Sequence, residues 1–252
     1  DNDTLIAIPS ALEIRTAILA VKGEKAPGPD GFSASFYHTH WDNIGQDLVE
    51  EIQNVFRTGV LPRGINATNV CLIPKIKSPQ RISEYRPIAL CNVYYKVYSK
   101  ILQHRLQPLL GKIISENQSA FVPGRAISDN VLITHEVLHT LKTSKAEQRV
   151  SMAVKTDMSK AYDRLEWDFI SHVLERLGFS HIWIGLIMQC ISTVTYSFLI
   201  NGSPRGLVIP SRGIRQGDPL SPYIFILCSE VLSGLCNRAQ EEGRLQGVRI
   251  AR

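Results

Sequence analysis

The sequence Lys-Thr-Asp-Met-Ser-Lys-Ala-Tyr-Asp at residues 155–163 overlaps the end of an apolar, β-branched run at residues 150–156. Such a run predicts a buried strand, with Asp157 at its exit. A carboxylate fixed at a strand end is the kind of oxygen ligand that hard divalent cations bind beside a phosphate. An aspartate at a strand end also often caps the next helix, so both interpretations stay open at this point.

Three further segments on either side of this stretch have residue types suited to phosphate or nucleotide contacts. Downstream, Arg-Gly-Ile-Arg-Gln-Gly-Asp-Pro-Leu-Ser-Pro occupies residues 212–222, where glycines permit close backbone approach and a helix start offers free N–H groups. Upstream, Leu-Ile-Pro-Lys at 72–75 and Tyr-Arg-Pro-Ile-Ala-Leu at 85–90 supply Lys75 and Arg86 as candidate phosphate contacts. Lys-Ala-Pro-Gly-Pro-Asp-Gly follows at 25–31. Each segment alone also fits a surface turn.

Periodicity and end signals predict an α+β fold. The chain has 252 residues, of which 44% are hydrophobic, enough for one large domain or two joined subdomains with real cores. We expect a strand at residues 69–73 and a hairpin at 196–210 that turns at Asn201-Gly202. The predicted helices cover residues 11–21, 41–58, 92–110, 128–142, 167–177, 181–191 and 219–242.

The charge distribution favours an anionic partner. The whole chain has a net charge of +5, but the segment from Arg57 to Lys112 has ten basic residues and only one acidic residue, Glu84. Concentrated positive charge is what phosphate binding requires, because neutralised phosphates release counterions. A solvated basic face would have the same composition, so charge alone does not decide between them.

The cysteine content and the hydropathy of the chain indicate its cellular compartment and whether it spans a membrane. Five cysteines without a Cys-x-x-Cys pair predict neither a disulfide framework nor a zinc ribbon, and they fit a reducing, intracellular compartment. Residues 177–204 contain no Asp, Glu, Lys or Arg. Their interspersed polar residues and the Asn-Gly hairpin signal nevertheless argue against a membrane span, so we expect no membrane partner.

The pattern His-Glu-Val-Leu-His at residues 135–139 is that of a zinc protease helix, with two histidines one turn apart and a glutamate as base. Lys142 stands where the extended form of this pattern has glycine, and a third ligand would have to be a distant carboxylate such as Glu166. The alternative is a set of polar positions on an amphipathic helix. We favour the alternative.

Taken together and in this order, the segments resemble the reverse transcriptase domain of non-LTR (LINE-type) retrotransposons, of the kind abundant in plant genomes. Residues 25–31 resemble the segment ahead of the fingers, and residues 72–75 and 85–90 resemble the fingers motifs. Residues 155–163 are similar to the first palm motif, and residues 212–222 to the motif that contacts primer–template and nucleotide. The resemblance implies a right-hand polymerase with fingers and pre-fingers at 1–149, a partial palm at 150–252, and a small antiparallel sheet among mixed helices.

The resemblance also implies a chemistry, in which a primer 3′-OH attacks the α-phosphate of a deoxynucleoside triphosphate in line between two metal ions. Asp157 would be the catalytic metal ligand, joined by the backbone carbonyl of Met158. The cofactor would be Mg²⁺, with Mn²⁺ as a substitute. The partners would be an RNA template, a DNA primer or target and deoxynucleotides, and the family's location would be the nucleus.

Further roles follow from the same resemblance. Lys75 and Arg86 would contact the triphosphate, Gln216 would lie beside the nucleotide, and Tyr162 would exclude a ribose 2′-OH. A half-buried helix aromatic is the alternative for Tyr162. The residues expected to contact template and primer are Arg212, Arg215 and Gly217.

The sequence departs from the family in its aspartates. The palm normally supplies two more from an aromatic-Ala-Asp-Asp hairpin, whereas these 252 residues contain no adjacent pair of aspartates and the last one is Asp218. We therefore expect that this chain alone does not polymerise. A non-catalytic nucleic-acid-binding remnant is the alternative from another functional class. A group II intron type polymerase is the nearest alternative identity, and the particular residues at 85–90 and 215–222 favour the LINE type.

Overall fold

The computed structural model describes residues 1–143 and 152–246, which form ten α-helices and one four-stranded sheet. The strands are β1 (Ala67–Pro74), β2 (Tyr85–Cys91), β3 (Thr195–Ile200) and β4 (Ser203–Val208). The helices are α1 (Asn2–Ile6), α2 (Ala11–Leu19), α3 (Ala34–Thr39), α4 (Trp41–Thr58), α5 (Val93–Leu106), α6 (Leu110–Ile113), α7 (Ile127–Thr143), α8 (Trp167–Arg176), α9 (His181–Ser192) and α10 (Ser221–Glu241). The predicted α+β class is confirmed.

Local signals explain where several helices begin and end. Ser10 and Ser180 each accept a hydrogen bond from the backbone N–H three residues on, so they cap the free donors of α2 and α9. Helix α4 ends at Gly59, whose φ of 71° is the left-handed conformation that closes a helix. These ends were predicted from the sequence to within a few residues.

The sheet has the order β2-β1-β3-β4. Strands β1 and β2 are antiparallel, as are β3 and β4, but β1 pairs with β3 in parallel. The sheet is therefore mixed rather than purely antiparallel, because the connection between β1 and β3, which contains β2 and several helices, is long enough to return the chain in the same direction. The turn at Asn201-Gly202 is confirmed, and both residues have positive φ values of 51° and 79°.

Helix α5 lies at the centre of the hydrophobic core. Its buried residues cover most of its circumference, as expected for a helix enclosed by others. Buried side chains of α2, α4, α8, α9 and the first half of α10 belong to the same core cluster. This cluster contains residues from both sides of the predicted division at residues 149 and 150, and that division stays a prediction.

The strand predicted at residues 150–156 is wrong for the part that the structure describes, residues 152–156, and positions 150 and 151 lie outside the described residues. Residues 152–158 form neither helix nor strand, and their side chains are exposed. The β-branched composition favours an extended backbone, but a strand also needs a neighbour for its N–H and C=O groups. Within residues 1–143 and 152–246, no strand pairs with this stretch.

Part of the basic segment is internal. The Arg105 guanidinium donates to both carboxylate oxygens of Glu13, at 2.7 and 2.8 Å, and to the carbonyl of Leu5. It also stacks 5.0 Å from the ring centroid of Phe56. Arg105 therefore links α1 and α2 to α5 and does not contribute to a positively charged surface.

Two further expectations concern membranes and thiols. None of the helices formed by residues 1–143 and 152–246 has the length and apolar character needed to span a bilayer. All five cysteines are free thiols in the structure.

Candidate active site

Four of the five segments singled out in the sequence meet around one cavity of about 330 Å³, on one face of the sheet. Strands β1, β2 and β3 line it with mainly apolar side chains, and the loop at residues 210–216 closes its other side. The lining residues from the motifs are Leu72 from the first fingers segment, Tyr85, Pro87 and Ala89 from the second, Asp163 from the palm segment, and Arg212, Gly213, Ile214, Arg215 and Gln216 from the loop. These four segments therefore share one site, although residues 72–90, 163 and 212–216 lie far apart in the sequence.

Backbone hydrogen bonds join the loop to the end of the palm segment. Gly213 N–H donates to the carbonyl of Leu165 at 2.7 Å, and Ile214 N–H donates to that of Tyr162 at 2.9 Å. The indole N–H of Trp167 donates to the carbonyl of Gly213 at 2.9 Å. Gly213 has φ +88°, and a Cβ there would lie 3.2 Å from the Cα of Asp163. Only glycine allows both this backbone conformation and this close approach.

On its other flank the loop contacts β2. Ala89 N–H donates to the carbonyl of Gln216 at 3.0 Å, which satisfies a group on the edge of the sheet. Gly217 follows with φ +104°, and a Cβ there would lie 3.5 Å from the Ala89 carbonyl oxygen. Gln216 lines the cavity and is half-buried, while Gly217 is exposed.

Arg215 points into the core, not towards solvent, and is only 4% exposed. Its guanidinium donates to Asn66 Oδ1 at 2.5 Å, to Thr68 Oγ1 at 3.1 Å and to the Cys190 carbonyl at 2.7 Å. It also lies 3.8 Å from the ring centroid of Tyr95. Contact with primer or template, as predicted for Arg215, would require the side chain to leave all these partners.

Asp218 is the buried counter-ion of Arg215, with a nitrogen–oxygen distance of 3.2 Å. It accepts hydrogen bonds from the hydroxyls of Tyr95 and Ser99, the latter at 2.5 Å, and from Leu220 N–H at 2.9 Å. Burial raises the pKa of Tyr95 well above its usual value, which keeps its hydroxyl protonated as a donor. The charge of Asp218 is thus fully compensated inside the protein.

Tyr162 is half-buried in a 3₁₀ turn, with its ring 5.3 Å from that of Phe225. Burial, and to a lesser extent the nearby charge of Asp218, raises its pKa. These contacts match the half-buried aromatic considered as the alternative. Discrimination against a 2′-OH stays a prediction.

Lys75 and Arg86 lie at the outer end of the β1–β2 hairpin and are exposed. Lys75 Nζ donates to the carbonyl of Ser83 at 2.8 Å. Arg86 is directly opposite Ile73, whereas Leu72 and Pro87 are opposite each other and line the cavity. Because side chains alternate between faces, Lys75 and Arg86 lie on the face away from the cavity. The structure does not bring them together with Gln216.

Asp157 and Met158 lie in the exposed stretch that precedes Tyr162. Across the parts of the chain that the structure describes, no three His, Cys, Asp or Glu side chains are grouped closely enough to hold a metal ion. Asp157 has the oxygen chemistry that Mg²⁺ prefers, but one carboxylate does not make a two-metal site. The same finding leaves His135 and His139, both exposed on α7, without a third ligand among these residues.

Arg212 is the exposed cation among the residues that line the cavity, and it pairs with Glu166 at 2.9 Å while both side chains stay more than half exposed. The sequence reasoning missed the aromatic wall formed by Tyr85, Tyr196 and Phe198. Alternation within residues 195–200 could have placed Tyr196 and Phe198 on one face. It also missed Asn66, whose role depends on partners distant in sequence.

Comparison with known proteins gives the family. Residues 73–248 match the family described as reverse transcriptase (RNA-dependent DNA polymerase). The chain is 30% identical over 219 residues to the transposon TX1 149 kDa protein of Xenopus laevis, which covers 86% of this chain and 16% of that protein. It is 29% identical over 220 residues to the Pol polyprotein from retrotransposable element R2 of Popillia japonica, covering 83% of this chain and 29% of that protein.

A shorter match reaches 76% identity over 54 residues, in a mitochondrial protein of Arabidopsis thaliana, covering 21% of this chain and 44% of that protein. The chain thus spans less than half the length of each of these relatives. The family match covers well over half of the chain and includes all the cavity-lining motif residues named above except Leu72, which directly precedes it. The chain belongs to the reverse transcriptase (RNA-dependent DNA polymerase) family, as a domain of the non-LTR, LINE-type retrotransposon kind.

Proposed function

We propose that this chain binds an RNA template, a DNA primer and a deoxynucleoside triphosphate as part of an RNA-directed DNA polymerase. The observation that carries the proposal is the meeting of four motif segments around one cavity, with Gln216 and Arg212 at its border. Aromatic and apolar walls suit the flat faces of bases, and the exposed cation Arg212 at the border suits a phosphate. Lys75 and Arg86, on the opposite face of the sheet, would contact phosphates outside the cavity. Priming at a chromosomal target would place this activity in the nucleus.

Two-metal catalysis needs more than one carboxylate at the site. In the reaction of the family, two Mg²⁺ ions would hold the attacking and leaving oxygens, and Mn²⁺ could replace Mg²⁺. Asp157 supplies one carboxylate, with the Met158 carbonyl adjacent. Because the sequence contains no Asp-Asp pair, we propose that the 252 residues bind their substrates without joining a nucleotide to the primer.

Two measurements on the 252-residue chain test this proposal. Fluorescence anisotropy should detect binding to an RNA–DNA primer–template, with an affinity that falls steeply as salt rises. Primer extension with Mg²⁺ and deoxynucleotides should give no more product than Asp157→Ala. Absence of binding at low salt would contradict the binding role, and extension above the Asp157→Ala level would contradict the inactivity.

A non-catalytic remnant is the second candidate, favoured by the exposed position of Asp157, which belongs to no group of metal ligands among residues 1–143 and 152–246. If the gene reads on past Arg252, a longer product that extends primers, and loses that activity on Asp157→Ala, would exclude the remnant. An inert longer product that still binds primer–template would support it.

A further inference from the structure

We infer that Arg215 and Asp218 are positioning residues, whose buried ion pair holds the intervening Gln216 and Gly217 against strand β2 at the border of the cavity. This inference rests on the proposed function, because it assigns the task of presenting Gln216 to the substrates. It replaces direct contact between Arg215 and nucleic acid with an internal role.

Both charges of the pair are buried. The two side chains are 2% and 3% exposed, and a pair removed from water is tolerated only when further hydrogen bonds complete it. The two terminal nitrogens of Arg215 and the carboxylate of Asp218 have such bonds, from four other parts of the fold. Both terminal nitrogens of the guanidinium are engaged, so neither is free to face a phosphate.

Arg215 forms one rigid anchor. Asn66, which accepts from Arg215, donates in turn to the Cys190 carbonyl at 3.1 Å and to Thr193 Oγ1 at 2.8 Å. Thr68 stands at the start of β1, and Cys190 belongs to α9. Arg215 is therefore fixed to β1 and α9 together, with the Tyr95 ring of α5 beneath it.

Asp218 forms the other anchor. Tyr95 and Ser99 of α5 both donate to its carboxylate, and so does Leu220 N–H immediately before α10. One end of the Gln216–Gly217 stretch is thus tied to β1 and α9, and the other to α5 and α10. Between these anchors, the carbonyl of Gln216 reaches Ala89 N–H of β2.

The hydrogen-exchange rate of the Ala89 amide measures, without any substrate, how firmly the Gln216 carbonyl is held against β2. Two variants serve: Tyr95→Phe, which removes one donor to Asp218 but keeps the ring, and Arg215→Met combined with Asp218→Leu, which removes the whole pair. We expect the Ala89 amide to exchange at least about tenfold faster in the double variant. The Ile214 amide, bonded to Tyr162 on the opposite flank, is the internal control and should change less.

Primer–template binding gives the second readout. The salt slope is the slope of log affinity against log salt concentration. If Arg215 only positions the loop, the double variant keeps the salt slope of the unsubstituted chain. Gln216→Ala should then weaken binding in the unsubstituted chain but add little in the double variant. Arg212→Met, which removes an exposed cation from the same loop, is the matched comparison and should lower the slope by about one.

The outcomes separate the two proposals. Unchanged Ala89 exchange in a folded double variant, or in Tyr95→Phe should the double variant unfold, would overturn the positioning role. A salt slope reduced by about one in the double variant would also overturn it, because Arg215 would then be a phosphate contact. Failure of the parent chain to bind primer–template would instead refute the proposed function, and the exchange result would still decide the positioning role.

Discussion

At the scale of single residues, the backbone of Gly28 packs closely against the junction between β2 and α5. A Cβ at this position would overlap the backbone nitrogen and side-chain oxygen of Asn92. Asn92 in turn accepts from Asp30 N–H at 3.2 Å and donates to the Ile65 carbonyl at 3.0 Å. The Pro-Gly-Pro-Asp segment therefore joins three parts of the chain, with glycine at the point of contact.

We predict that Gly28→Ala destabilises the protein by about 1–3 kcal/mol, because the backbones must separate to admit the methyl group. Urea unfolding followed by circular dichroism measures this difference. Gly23→Ala is the control: its Cβ would lie 3.4 Å from that of Ser35, an ordinary contact, so its effect should stay within about 0.5 kcal/mol. Equal stabilities of the two variants would contradict the proposed packing at Gly28.

Arg105 shows that a basic residue can be structural. We predict that Arg105→Ala lowers the free energy of unfolding by about 2–3 kcal/mol, because Glu13 and the Leu5 carbonyl lose a charged donor. The salt slope of primer–template binding should not change.

The matched control for Arg105 is Lys112→Ala. Lys112 pairs with Asp1 at 3.5 Å, with both side chains about two thirds or more exposed, so its removal should cost less than about 0.5 kcal/mol. If Arg105→Ala proved as mild as this control in thermal or urea unfolding, the internal role of Arg105 would be refuted.

At the scale of secondary-structure elements, β4 forms one edge of the sheet, and all its side chains are exposed. Leu207 and Ile209, at and just beyond its end, are 68% and 72% exposed. An apolar edge with unpaired backbone groups invites association between chains.

We predict that Leu207→Lys combined with Ile209→Lys reduces aggregation, while stability changes by less than about 0.5 kcal/mol. Light scattering against protein concentration measures the first effect, and thermal unfolding the second. Ile182→Lys changes an apolar position on α9, outside the sheet, that is 58% exposed, and it should reduce scattering much less per added charge. If it matched the double variant, net charge and not the edge would be responsible.

The elements also show which parts of the fold the sequence predicts. Helix α4 and the Asn201-Gly202 turn were predictable, because glycine and asparagine adopt positive φ through local conformational preference alone. The strand predicted at 150–156 is wrong for residues 152–156, since β-propensity indicates an extended backbone but not the neighbouring strand that would pair with it. The motif segments predicted the family, while the inward direction of Arg215 depends on Asn66, Tyr95 and Cys190, which no local pattern connects to it.

At the scale of the whole molecule, buried tyrosines make the fold sensitive to alkali. Burial raises the pKa of Tyr37 and of Tyr196 to about 12, and that of Tyr94, Tyr95 and Tyr98 also rises through burial. In the unfolded chain a tyrosine ionises near pH 10. The stabilisation from keeping these hydroxyls protonated is therefore complete below about pH 10 and decreases as the pH rises towards 12.

We predict that the melting temperature falls continuously between about pH 10 and pH 12. Absorbance of tyrosinate near 295 nm should rise together with unfolding, and not ahead of it, for most of the tyrosines. Tyr37→Phe should lessen the fall, because phenylalanine has no proton to lose in the unfolded state. Full ionisation of all tyrosines at pH 11 in a protein with native circular dichroism would contradict the burial of these hydroxyls.

The parallel pairing of β1 with β3 has a consequence for synthesis on the ribosome. The β1–β2 hairpin can close as soon as it emerges, but Ala67 meets its partner Thr195 only after the intervening helices have been translated. At bacterial or eukaryotic elongation speeds this delay is of the order of ten seconds, long compared with hairpin closure. During that interval one side of β1 offers unpaired backbone groups to other nascent chains, so slow translation of the region between these strands should increase the demand for chaperones.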